Sequence, residues 1–190
     1  MTSWLRSLIP GLGRGDADPA AQARAGQLRE FRAAVARDVE QGDRAALDAL
    51  LRRPAEIGLP DEEVELEIER VQGALDLLSL RELVAAAGLP IVDHQHKSLG
   101  ADRCHFRASA FLASDGSDRT GRLFLTDRRL VFVTSPMVTL AWSAIGTIDQ
   151  KARDLIIVPV AGTTLYQFRC NSFSDARCGA FIAQALKSRR

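Results

Sequence analysis

The chain has 190 residues, 46% of them hydrophobic and 26% charged, the proportions of an ordinary soluble globular protein long enough to bury a real core. Its formal charge of +1 conceals a division: residues 1–90 carry 11 Lys and Arg against 16 Asp and Glu, net −5, and residues 91–190 carry 14 against 8, net +6. So small a surplus, with no basic run interleaved with aromatic residues, makes no case for nucleic acid. Cys104, Cys170 and Cys178 form no Cys-x-x-Cys pair, and Met1–Pro10 lacks the apolar core of a secretory signal. Both features point to a reducing, cytoplasmic setting. No run approaches the ~18–20 apolar residues that span a bilayer.

In chain order, residues 1–18 read as a flexible tail. Trp4, Leu5, Leu8 and Ile9 share one face of a helix too short to be stable alone. Contact with a membrane through Trp4 is the sharper alternative. Gly11, Gly13 and Gly15 follow no strand and precede no Lys-Ser/Thr, so they make no phosphate loop. Residues 19–88 form a helical region. The first helix, Pro19 to about Gln41, carries Leu28, Phe31, Val35 and Val39 at helical spacing and ends at Gly42-Asp43. The second has its stripe at Ala46, Leu47, Leu50 and Leu51, and Pro54 is expected to close it. Pro60-Asp61-Glu62-Glu63 opens the third, its acids placed where the helix dipole favours them. Ser79 with Glu82 reads as a capping box for a short fourth helix that Gly88 stops.

Residues 89–102, beginning Leu89-Pro90, read as a linker, after which the period changes. Arg103–Ala113 alternates Cys104, Phe106, Ala108, Ala110 and Leu112 against His105, Arg107, Ser109 and Phe111, a first strand. Ser114–Asp118 is a turn. Gly121–Thr134 is a hairpin broken at Thr126-Asp127-Arg128, with Leu123, Leu125, Leu130 and Phe132 on the core face. Further short strands lie near 138–142, 146–151, 154–158 and 164–169. Ser172 then starts a helix whose Cys178, Phe181, Ile182, Ala185 and Leu186 form an apolar stripe.

The pattern Gly-x-Leu-x-Leu-Thr-x-x-Arg-Leu-x-Phe at 121–132 resembles the second and third strands of GRAM-type and bacterial pleckstrin-homology-like domains. Seven strands and a closing helix over residues 103–188 agree with that likeness. The resemblance implies an α+β chain: a small all-α region, then a seven-stranded antiparallel sandwich or partly open barrel capped by the last helix, with residues 103–190 as the domain. It also implies a bacterial, non-catalytic binding or adaptor module that recognises an unidentified protein or peptide, without a cofactor. The first two strands of such domains offer basic residues to anionic lipid. The matching candidates here are Arg103, Arg107, Arg119 and Arg122, although the intervening loop brings Asp115 and Asp118 and no lysine. A peripheral protein on an anionic membrane is therefore the second reading.

Catalysis finds little support in the residues. There is no Gly-x-Ser-x-Gly elbow, and no cysteine sits in a motif that activates a thiol. His94-Gln95-His96, flanked by Asp93 and Cys104-His105, alone has a metal-ligating composition, since His at i and i+2 on an extended segment point the same way. A metal-dependent enzyme using His94 and His96 is the alternative of a different class; polar linker residues are the plainer account.

Overall fold

Residues 18–94, 96–113, 118–162 and 164–189 are described by a computed structural model. The readings for residues 1–17 and for the tip of the turn at 114–117 lie outside the described residues. Three helices, not four, build the first part: α1 (Pro19–Gln41), α2 (Arg44–Glu56) and α3 (Asp61–Ala87). Asp18 caps α1 by accepting from the Ala20 N–H at 3.1 Å, and Asp43 caps α2 through Ala45 at 2.9 Å. Between those two helices Gly42 takes the left-handed conformation, φ 70°, that ends α1. Pro54 does not close α2; it lies within the last turn, and the chain leaves the helix at Ile57-Gly58. The capping box at Ser79 does not form either. α3 runs through it unbroken, and Arg44 of α2 donates to both Ser79 and Glu82. Phe31, Val35, Leu47, Leu50, Val64 and Val71 make one apolar core among the three helices.

Seven antiparallel strands follow: β1 (Cys104–Ala113), β2 (Arg119–Thr126), β3 (Arg129–Val133), β4 (Val138–Ala141), β5 (Ile145–Lys151), β6 (Asp154–Pro159) and β7 (Tyr166–Cys170). Their order is β4-β3-β2-β1-β7-β6-β5, so the sheet ends at β4 and β5 and does not close. β1 pairs with β2 along its length and with β7 only through Ala110–Ala113, which makes it the hinge about which the sheet folds back on itself. The two halves meet inside, where the rings of Phe132 and Phe168 are 5.2 Å apart. Helix α4 (Phe173–Ser188), capped by Ser172, covers the opening with Ala180, Ile182, Ala183 and Leu186. This is a pleckstrin-homology-like sandwich preceded by a helical region.

Leu123, Leu125, Leu130 and Phe132 are all fully buried, as their alternation predicts. Gly121 is there for close approach: a Cβ would meet the Val133 carbonyl and lie 2.8 Å from the Phe132 ring. Two readings of the first strand need correcting. Cys104 does not share the face of Phe106, because the register slips between residues 104 and 106. The bulge turns Cys104 to the sheet's outer side and buries His105 instead. The outer side is not solvated there: Leu99, Cys104, Phe124 and Val131 make a small second core, with Val92 and Val133 against it. Its cover is the segment 91–102, including a short 3-10 turn at Lys97–Leu99, so that stretch is packed structure.

α3 and α4 join the two halves. Gly73 lets the helices touch, since a Cβ there would sit 2.8 Å from the Ser174 nitrogen. Leu80, Val84 and Leu89 pack into the sandwich core from the helical side. Glu69 accepts from the Phe173 N–H at 3.0 Å and pairs with Arg153.

Candidate functional site

The outer face of the β1–β2 ladder carries Arg107 and Ser109 from one strand, Arg122 and Phe124 from the other. Arg107 stands opposite Phe124 and Ser109 opposite Arg122, so the two arginines are diagonal neighbours on one face. Phe124 forms part of the floor, 2% exposed.

The segment 91–102 brings the histidines to this floor. The Val92 N–H donates to the Cys104 carbonyl at 2.8 Å, tying the segment beside β1. Asp102, 6% exposed, anchors its far end by accepting from Arg129 Nε at 2.8 Å, and Arg129 also donates to the Ser98 carbonyl. His94 Nε2 lies 3.1 Å from the Asp102 carbonyl, which accepts its N–H. The other nitrogen of His94, Nδ1, is buried with no hydrogen-bond partner among the described residues. His96 Nδ1 accepts from the Ser98 N–H at 3.3 Å, leaving Nε2 to carry the ring proton. Both imidazoles lean on Phe124, with ring centroids 6.5 and 5.8 Å away.

Asp93, His94, His96, Arg107, Arg122 and Phe124 together line a hollow of about 390 Å³. Arg107 and Arg122 also line the adjoining hollow over Ala108 and Ser109. Arg107 donates to the Asp93 carbonyl at 3.3 Å. Among the described residues neither arginine has a carboxylate partner. A planar guanidinium presents paired N–H donors that match an oxyanion. This donor set fits a carboxylate or phosphate group.

The histidines and half of the candidate arginines thus meet in one place. Arg103 and Arg119 stand apart. Arg103 is held at the β2–β3 turn by Asp127, which accepts from its backbone N–H at 3.0 Å and lies 3.5 Å from its guanidinium. Arg119 donates to the Pro136 carbonyl at 3.2 Å. The other members of the metal-like cluster also point elsewhere. Cys104 Sγ donates to the Phe106 carbonyl, and His105 Nδ1 lies 2.7 Å from the Pro90 carbonyl. Among the described residues no group of three His, Cys, Asp or Glu is placed to hold a metal ion. Arg107 and Arg122 stand beside His94 and His96, and their charges oppose a metal and favour an anion, against the single acidic residue Asp93 in the lining. Sequence reasoning missed Phe124 and Asp102. The available signal was the pair Val92 and Leu99, two apolar residues in a polar stretch that had to be buried against something.

No family model matches the chain, and no curated protein does. The GRAM likeness is therefore one of residue pattern alone. Among solved structures, the C-terminal domain of an unknown protein from Leishmania infantum is 13% identical, with a TM-score of 0.41 over 50% of this chain and 91% of that one. The DH/PH fragment of PDZRhoGEF, in complex with human RhoA, is 12% identical, with a TM-score of 0.42 over 88% of this chain and 54% of that one. The linker-DH/PH domains of p115-RhoGEF give 12% and 0.41, covering 86% of this chain and 55% of that one. The chain thus spans little more than half the length of those DH/PH chains. These likenesses carry no weight for partner or activity.

Proposed function

We propose that the chain is a non-catalytic binding module whose pleckstrin-homology-like domain recognises a protein or peptide through one projecting oxyanion. The group sits on Phe124 between Arg107, Arg122, His94 and His96. The observation that carries this reading is the pair of cross-strand guanidiniums without carboxylate partners, facing a hollow that also holds two imidazoles. Arg107 is already tied to the Asp93 carbonyl, which reduces the side-chain ordering that binding must supply. A cytoplasmic setting and membership of the GRAM group belong to the same proposal. They rest on cysteine usage and on the Gly121–Phe132 pattern respectively.

An anionic membrane is the second reading, favoured by the net charge of +6 on residues 91–190. It ranks lower because the site is concave and walled by the 91–102 segment. Arg103 and Arg119, which would extend a flat basic patch, are engaged elsewhere. A metal-dependent enzyme ranks third, with two imidazoles and no third ligand placed beside them among the described residues.

Phosphoserine peptides, their unphosphorylated forms and phosphatidylserine vesicles separate these readings. The phosphorylated peptides should bind and the neutral ones should not, and Arg107→Gln with Arg122→Gln should abolish the difference. Vesicle binding with no preference among peptides would replace the first reading by the second.

A further inference from the structure

A second cluster of arginines lies where the helical region meets the sandwich. Phe173, Arg177 and Phe181 occur at i, i+4 and i+8 on α4, so they share one face of that helix at steps of about 6 Å. Two arginines of α3 bracket the row. Arg70 lies over the Phe173 ring at 5.8 Å, and Arg81 lies over the Phe181 ring at 5.7 Å. Arg177 stands between them, half-buried, its Nε shielded from solvent with no hydrogen-bond partner. Among the described residues none of the three has an ion pair. Arg153 also reaches the Phe173 ring, at 5.5 Å, but Glu69 already neutralises it.

Three unpaired guanidiniums in a row are costly to hold together. Burial and the charges of Arg70 and Arg81 disfavour the charged form of Arg177. Arg70 and Arg81 belong to a helical half that is net negative, 9 basic against 14 acidic residues over 19–88. The stacking of Arg70 and Arg81 on the two rings helps to join α3 to α4, but it leaves all three charges without a counter-ion among the described residues. An anionic partner would relieve the repulsion and satisfy the shielded donor.

We propose that the α3–α4 seam is a second binding surface, which takes an extended acidic polypeptide segment along Arg70, Arg177 and Arg81. The spacing favours a polypeptide over other anions. Alternate side chains of an extended strand recur at about 6.6 Å, close to the step between successive positions of the α4 row. A single phosphate is too small to reach all three guanidiniums. A lipid surface would need them to project freely, whereas two lie against rings and the third is half-buried. The surface is independent of the pocket at Phe124, on the opposite side of β1 and β2 from the core that α4 covers.

Fluorescence anisotropy of the full chain with a short labelled peptide of alternating glutamate and serine tests this directly. Binding should weaken as salt rises. Arg177→Gln should lower affinity by about tenfold, as loss of a charge-assisted hydrogen bond does. Arg177→Gln should also melt no lower than the parent, because it removes a repelled charge. Arg81→Gln, at an exposed side chain, repeats the measurement without touching the packed seam. Arg107→Gln and Arg122→Gln should leave binding of this peptide unchanged, which separates the seam from the pocket. Undiminished binding in Arg81→Gln and Arg177→Gln, loss of binding in the pocket variants instead, or binding to anionic vesicles but not to the peptide would each overturn the proposal.

Discussion

Leu125 has no exposed surface and lies in the core shared by Leu123, Leu130, Phe132 and Ile182. Leu125→Ala should cost ~2–5 kcal/mol in chemical denaturation, the range for a cavity opened in a close-packed interior. A loss below about 0.5 kcal/mol, the scale of surface substitutions, would place the hairpin outside the core. Burial also governs the thiols. It pushes Cys170 up to about 12 and Cys178 up to about 11, from an ordinary 9.0, with Asp175 and other carboxylates adding to the effect. The native chain therefore keeps protons that the unfolded chain releases above pH 9.0. Stability from these groups is full below that pH and is lost as pH rises towards 11–12, the folded values. Urea titrations at pH 8 and pH 10.5 should show a lower midpoint at the higher pH, and Cys170→Ala should narrow the gap. An unchanged gap would show that other groups set the alkaline loss.

At the scale of elements, the strands and their inward faces were legible because a period of two is unambiguous once turn residues bound it. The outward face was not. Phe124 and Val131 alternate correctly with the core residues, and only the fold of 91–102 over them shows that both faces of the hairpin are covered. The position of Cys104 was lost for a related reason, since a bulge leaves no mark in the alternation itself. In the helical region the capping box at Ser79 was outweighed by packing: Leu75 and Leu78 face the three-helix core on one side of it, and Leu80 and Val84 face the sandwich on the other. Local propensity yields where a continuous helix buries more. The contact at Gly73 makes that helix testable. Gly73→Val should cost about 1–3 kcal/mol by forcing α3 from α4. Gly26→Ala, in α1 with nothing within 4 Å of the added carbon, should instead stabilise by about 0.4–1 kcal/mol. Equal and small effects at both sites would mean that α3 and α4 are not in contact.

For the whole molecule, the two halves carry opposite net charge, yet Leu80, Val84 and Leu89 make the join between them substantially apolar. We propose that residues 89–190 can fold alone but lean on α3 for cover. That fragment should melt cooperatively and below the full chain, and a longer one starting at Asp61 should recover much of the difference. Equal melting of the short fragment and the full chain would show that the helices add nothing to the sandwich. The candidate pocket was legible only in pieces: His94 and His96 as a rare composition, Arg107 and Arg122 as two of the four basic positions that the resemblance implied. Their meeting depends on the path of 91–102, which no local pattern records. The most direct measurement is therefore an NMR titration of the isotope-labelled full chain with inorganic phosphate. The ring signals of His94, His96 and Phe124 and the side-chain signals of Arg107 and Arg122 should move on one saturable curve, and Arg122→Gln should abolish it. Shifts that spare these residues, or that persist unchanged in Arg122→Gln, would contradict an oxyanion site at this pocket.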